Sequence, residues 1–316
     1  MRVVILKGPI WTDTLLRRLS AGKETQGHLT GADADRALFF ATVAGISCNE
    51  TEEGMVLGAG DDADPQLYEN AADEIMGYYG RVGAEDLEPR RQMILSRAAA
   101  RVIASRQQAP THLRSAMQAD AVETLSQDTP HEGFFLTRSY RLRHPQFSGE
   151  MTEALTREVF VATDAALVLP YDPVRDRVLL VEQFRMGPFG RGDPYPWVLE
   201  PVAGRVDAGE TPEETARREC REEADLELAK LEHVSSHYCS PGCSTEMFHC
   251  YVGLCDLPEG GKSHGGLEVE HEDIRRHIID FETAMDMTRT GEINIGPLFA
   301  LLLWLERERP RLTASA

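Results

Sequence analysis

The sequence predicts an α/β sandwich built on a mixed sheet, preceded by a smaller α+β domain. Three observations carry this expectation. From Gly133 onward, short apolar runs of strand character recur between turn signals. Among them lies one strongly capped, acid-rich helical segment between Thr211 and Leu226. Before residue 126 the chain differs, with strand-like runs near its start followed by a helical stretch. A length of 316 residues leaves room for two domains.

The elements follow in order. Arg2 to Leu6 reads as a strand, Ala37 to Ile46 is a second apolar stretch, and Met55-Val56-Leu57 reads as another strand. From Leu87 to about Leu125 the pattern is helical: Met93, Ile94, Ala98, Val102 and Ile103 recur at helical spacing, and Gln107 to Pro110 interrupts them. This region is expected to bridge two domains, 1–110 and 126–316. Phe134 to Leu142 alternates like a strand, and Val159-Phe160-Val161 is expected to open the next. Ala165 to Leu169 suits a buried strand, Asp172-Pro173 marks a turn, and Val178 to Val181 returns as its partner. Met247 to Val252 and Ile274 to Ile279 are expected in the same sheet. Phe281 to Thr290 and Pro297 to Arg307 read as helices, so the sheet carries helices on its faces.

Composition bounds the function. The chain is 42% hydrophobic and 27% charged, as ordinary globular chains are. Its net charge of −19 argues against a nucleic-acid surface, which needs a basic footprint. An anionic small substrate stays open, because bound cations and a few arginines invert the field locally. No apolar run is long enough to span a bilayer and no signal-peptide pattern opens the chain, so no membrane partner is expected. The six cysteines form no Cys-x-x-Cys pair and read as reduced thiols of a cytoplasmic protein. Cys239, Cys243, His249 and Cys250 crowd one region, but strand alternation scatters them over both faces and their spacing does not fit a zinc ribbon.

The chemistry concentrates between Gly204 and Leu226. Thr211 is placed to cap a helix, Pro212 suits its first turn, and Glu214 can bond back to the cap. A helix from about Pro212 to Ala224 follows, with Ala216 and Cys220 facing inward. Glu219 and Glu223 are four apart and project from one face, with Glu222 beside them. Close carboxylates repel each other, and a hard divalent cation such as Mg²⁺ takes oxygen ligands and removes that penalty. Arg218 and Arg221 offer ion-pair partners for Glu210 and its neighbours. The plainer alternative is a solvated helix laced with ion pairs. Asp225, at the expected helix end, tolerates a left-handed backbone better than most residues.

Gly204, Glu210, Arg218, Glu219, Glu222 and Glu223 stand at spacings that resemble the Nudix box, the signature of hydrolases that cleave nucleoside diphosphates linked to another group. Cys220, where a bulky aliphatic is usual, and Asp225, where glycine is usual, depart from that pattern. Over about residues 126–300 the chain looks most like the ADP-ribose pyrophosphatase subfamily. Gly133-Phe134-Phe135 resembles the hairpin those enzymes exchange across a dimer. Val181 to Arg185 resembles the strand with a substrate arginine, and Ser240 to Glu246 the loop whose proline marks the subfamily. Gly266 to Ile274 resembles the acidic loop that supplies the base. The resemblance implies a Nudix α/β/α sandwich that hydrolyses ADP-ribose to AMP and ribose 5-phosphate as a homodimer, with Mg²⁺ or alternatively Mn²⁺. It implies Glu219, Glu223, Glu272 and the carbonyl of Ala203 as metal ligands, Glu222 as a further metal or water ligand and Glu270 as base. It also implies Arg157 and Arg185 on the diphosphate, Phe134 stacked on adenine, and Glu246 on a ribose hydroxyl or a phosphate-bound metal. Local alternatives stand beside these roles: a solvated acidic turn for 266–274, surface ion pairs for the arginines, and core packing for Phe134. Hydrolysis of another nucleoside diphosphate sugar, sensing of ADP-ribose or NAD metabolites without cleavage, and an active enzyme in the N-terminal half are the competing functions.

Leu67-Tyr68-Glu69 and Gly77 to Val82 resemble the gamma-glutamyl cyclotransferase-like fold, in which a Glu so placed is the general acid/base. The loop after the first strand departs from that fold, reading Lys7-Gly8-Pro9-Ile10, so an accessory domain is expected with Glu69 as an ordinary exposed acid. Fusions of this kind resemble proteins linked to tellurite resistance.

Overall fold

The computed structural model describes residues 3–19, 27–107, 112–259, 264–265 and 273–314. The chain divides into two compact units. The first comprises Met1–Thr163 with Asp207–Gly209 and Gly242–Thr245, and the second Asp164–Val206, Glu210–Pro241 and Glu246–Ala316.

The first unit opens with β1 (Val3–Lys7), α1 (Asp13–Arg18), β2 (His28–Thr30), α2 (Ala32–Ala44), β3 (Ser47–Thr51) and β4 (Gly54–Gly58). α3 (Pro65–Tyr78) and α4 (Arg91–Arg106) follow. The strands order β2-β1-β4-β3, with β1 and β4 parallel and the outer pairs antiparallel. Val4, Phe40, Leu57, Ile75 and Ile94 make the core between sheet and helices. Arg97 of α4 lies buried against Glu74 of α3 at 2.5 Å. Glu69 is half-buried and accepts a hydrogen bond from the Thr12 hydroxyl, so the reading of an ordinary exposed acid fails.

The same unit holds an antiparallel three-stranded sheet, β5 (Glu123–Glu132), β6 (Leu136–Arg143) and β7 (Leu155–Val161). Two expectations are corrected here. The helical pattern ends with α4, and Leu125 lies in a strand. Val159 to Val161 close a strand rather than open one.

The second unit runs β8 (Ala165–Asp172), β9 (Arg177–Phe184), α5 (Met186–Arg191), β10 (Trp197–Glu200), β11 (Val202–Arg205) and α6 (Pro212–Ala224). It continues with β12 (Lys230–Tyr238), β13 (Met247–Leu254), β14 (His264–Gly265), β15 (Ile274–Asp280), α7 (Phe281–Thr290) and α8 (Gly296–Thr313). Among the described residues these strands form a mixed eight-stranded sheet with a spine β12-β13-β8-β9-β15-β14, β10 pairing with β9 and β11 with β8. β13 and β8 are the parallel pair. Leu167, Leu169, Val178, Leu180 and Val252 face α7 and α8 across a packed layer. α8 runs past Arg307 and through Pro310, further than its expected end. Among the described residues no helix is long and apolar enough to cross a membrane.

Candidate active site

α6 begins as its first residues dictate. The Thr211 hydroxyl accepts from the Glu214 N–H at 3.2 Å, and the Glu214 carboxylate accepts from the Thr211 N–H at 2.8 Å. Two donors at the helix start are thereby satisfied reciprocally, and the Thr211 bonds hold the Glu214 carboxyl below its usual range. Ala216 and Cys220 are fully buried, and burial pushes the Cys220 thiol well up. The helix stops at Asp225, whose backbone is left-handed (φ 57°, ψ 40°). Arg276 of β15 donates to the terminal Glu223 carbonyl at 2.6 Å, one of the acceptors a helix end leaves open.

This packing aims one acidic face at β11. Glu223 is 1% exposed, and its Oε2 accepts from the Ala203 N–H at 3.3 Å. Glu219 lies over Gly204: a Cβ at that position would sit 1.8 Å from Glu219 Oε1. Ala203, Gly204, Glu219 and Glu223 thus share one small space. β11 supplies the backbone because it pairs with β8, Ala203 opposite Leu167 and Gly204 opposite Ala166.

Arg218 is the hub of the face. Its Nε and Nη2 each lie 2.9 Å from the two Glu210 oxygens, and its Nη1 reaches Glu219 at 2.6 Å and Glu222 at 2.9 Å. The bond to Glu210 above all, then Glu219 and Glu222, holds its charge more tightly than usual against the opposing cost of burial. Arg221 does not join them and faces Glu227 at 3.9 Å. Among the described residues no three acids converge on one point as a closed cage; Arg218 occupies the cationic position between Glu219 and Glu222.

The donors nevertheless fit a hard divalent ion. All are oxygens, Glu223 is a deeply buried carboxylate, and Gly204 leaves the cradle that a side chain would fill. The acids able to hold such an ion are Glu219, Glu222 and Glu223, with the Ala203 backbone against Glu223 through its N–H.

Arg185 lies at the end of β9 in the same unit, its Nε 2.7 Å from Glu200 Oε2. Burial raises the Glu200 carboxyl, opposed by Arg185. Sequence reasoning missed Glu200, although Val198 and Glu200 of β10 stand opposite Gln183 and Val181 of β9 on one sheet face. Glu246 precedes β13, where its carbonyl accepts from the Cys239 N–H. Two other candidates belong to the first unit. Arg157 is exposed on β7, opposite Tyr140, and donates to the Thr156 carbonyl at 2.9 Å. Phe134 is 66% exposed beside Phe135, which removes the core-packing alternative. Glu270 and Glu272 lie outside the described residues.

A cavity of about 540 Å³ in the second unit is lined by Glu182, Trp197, His277 and Met287. Leu180 and Ile279, also in its wall, belong to the layer packed on α7 and α8. The cavity is therefore on the sheet face that packs against α7 and α8, and its lining includes none of the acids above.

Residues 161–300 match the NUDIX domain. The ADP-ribose pyrophosphatase of Escherichia coli strain K12 is 38% identical over 197 residues, 62% of this chain and 93% of that protein. The ADP-ribose pyrophosphatase of Haemophilus influenzae is 36% identical over 196 residues, 61% of this chain and 90% of that protein. The GDP-mannose pyrophosphatase of Enterobacter sp. strain 638 is 29% identical over 185 residues, 58% of this chain and 95% of that protein.

Proposed function

The chain belongs to the Nudix family, and on that premise we propose that it is a pyrophosphatase that hydrolyses the diphosphate of ADP-ribose to AMP and ribose 5-phosphate. The observation that carries the reading is the seating of Glu219 and Glu223 against Gly204 and Ala203, in a chain that is 38% identical to an ADP-ribose pyrophosphatase over 93% of that enzyme's length and 62% of its own.

These acids would hold a divalent cation, Mg²⁺ or alternatively Mn²⁺, which when bound would acidify a water and offset diphosphate charge. The chain's own residues do the rest. Glu219 and Glu223 with the Ala203 carbonyl fix the ion-binding face, joined by Glu272 and flanked by Glu222. Arg218 keeps the acids from splaying through its four carboxylate contacts. Arg185, oriented by Glu200, and Arg157 pair with the diphosphate. Phe134 stacks on the adenine and Glu246 holds a ribose hydroxyl. Glu270 takes the proton of the attacking water.

The finer assignments belong to the same reading: a cytoplasmic homodimer, with residues 126–316 as the catalytic domain and residues 1–110 as a gamma-glutamyl cyclotransferase-like accessory domain. A link to tellurite resistance rests on the resemblance of the fusion alone.

The 29% identity to a GDP-mannose pyrophosphatase over 95% of its length favours, as a second reading, another nucleoside diphosphate sugar. A panel of ADP-ribose, ADP-glucose, GDP-mannose, NADH and FAD, each with Mg²⁺ and with Mn²⁺, separates the two. Highest kcat/KM on ADP-ribose with release of AMP supports the first. A higher value on GDP-mannose replaces it with the second, and binding of ADP-ribose without turnover makes the chain a sensor.

A further inference from the structure

A second polar constellation lies in the second unit and takes no part in the chemistry above. His249 of β13 is buried, and its Nε2 stands 3.0 Å from Asp164 Oδ2. Its Nδ1 stands 3.0 Å from Ser236 Oγ. Ser236 is directly opposite His249 in the β12–β13 register, and its Oγ also lies 3.1 Å from His233 Nε2. The Asp164 and His249 side chains are 7% and 8% exposed. Ser236, on the edge strand of the sheet, is exposed.

With His249 as the neutral imidazole, the direction of each bond follows. An ionised carboxylate only accepts. Asp164 therefore takes its bond from Nε2–H, which leaves Nδ1 of the neutral ring as an acceptor. Ser236 must then donate its hydroxyl proton to Nδ1, and its oxygen receives the His233 Nε2–H. The ring is held in one tautomer from the buried side, with its basic nitrogen turned to an exposed hydroxyl. That is the order of parts in a nucleophilic triad: carboxylate, imidazole base, hydroxyl. The ring nitrogens are exchanged relative to the usual serine-protease arrangement, but a base acts from either.

We propose that Ser236 is a second nucleophilic centre, activated by His249, that accepts acyl groups from carboxylic esters. Ser236 Oγ forms a bond to the ester carbonyl carbon while its proton passes to His249 Nδ1. The bond from that carbon to the alcohol oxygen breaks, and the alcohol leaves with the proton from Nδ1. The products are O-acyl-Ser236 and free alcohol. Asp164 is a positioning residue: it fixes the tautomer and stabilises the imidazolium formed in passing.

The test uses the full-length protein with 4-nitrophenyl acetate, following acetyl mass increments by peptide mapping and the rate of nitrophenol release. Acetylation at Ser236 is expected in the wild type. It should slow by roughly a hundredfold or more in His249→Gln, the scale of a lost general base. Asp164→Asn should slow it as well, and Asp164→Glu should restore part of the rate at a similar melting temperature. A fluorophosphonate probe on the wild type gives a reading that needs no variant, with the adduct expected on the same peptide. Absence of both adducts at Ser236, or equal acetylation rates in wild type and folded His249→Gln, overturns the proposal. Ser236→Ala should keep its rate of AMP release from ADP-ribose, so this proposal and the diphosphatase reading fail separately.

Discussion

Replacing Gly204 with alanine tests how tightly the acidic helix is registered against β11. The new methyl carbon would lie 1.8 Å from Glu219 Oε1 and 2.0 Å from its Cδ. Unbonded heavy atoms rest at about 3.5–4.0 Å, so the carboxylate must retreat by well over an ångström. The backbone gives no reason for strain, since Gly204 is absent from the positive-φ glycines. The clash falls on the tip of a flexible side chain, so the fold yields cheaply while a candidate ligand moves. Gly→Ala at a compatible position contributes about 0.4–1 kcal/mol of stability through the unfolded chain, which offsets part of the local cost. Misplacing a reacting group by about 1 Å costs roughly a hundredfold in rate, or about 2.7 kcal/mol of activation free energy. Gly204→Ala should therefore lose about two orders of magnitude in kcat for AMP release while its melting temperature stays within a few degrees. A kcat within about threefold of wild type, at equal stability, refutes the reasoning from the 1.8 Å approach.

Three further outcomes are expected. Glu219→Gln and Glu223→Gln should each abolish AMP release while circular dichroism and melting stay close to wild type; near-normal rates in both end the metal assignment. Glu74→Ala should destabilise the first unit by about 3–5 kcal/mol in denaturant unfolding, because it strands the buried Arg97 charge; a loss under about 1 kcal/mol says the pair is not desolvated. Burial pushes the Asp172 carboxyl up, but the N–H groups of Arg175, Leu257 and Val174 and the Arg175 guanidinium outweigh it and hold it below its ordinary value. Its stabilisation is thus complete above the ordinary carboxylate range and is lost as pH falls through the lower folded value. Asp172→Asn should be less stable than wild type at neutral pH by about 1.5–3 kcal/mol, and the gap should narrow in acid; a gap that widens there reverses the sign.

The helix carrying the acids was legible because its signals are local: a capping threonine, a proline after it, a glutamate three on and a four-residue spacing of acids all lie within one segment. The buried strands β8, β9 and β13 were legible for the same reason, as continuous apolar runs. β5 was not, since Glu-Thr-Leu-Ser-Gln-Asp-Thr-Pro-His-Glu carries no apolar alternation and almost all of it is exposed. Its strand state comes from pairing with β6, a long-range fact. The roles of Arg218 and Glu200 were hidden likewise. Spacing identified possible partners for Arg218 but not that Glu210, Glu219 and Glu222 would all meet it. Glu200 is paired with Arg185 across fifteen residues. His249 read as one member of a cysteine-rich cluster, and only the sheet register places it between Asp164 and Ser236.

Mn²⁺ titration followed by electron paramagnetic resonance tests, without relying on turnover, whether the acids of α6 grip a hard dication. Wild-type protein should suppress the free-ion spectrum on mixing, and Glu223→Gln, folded equally well, should leave most of it. Equal suppression by both proteins would place the ion elsewhere and remove the basis of the proposed hydrolysis.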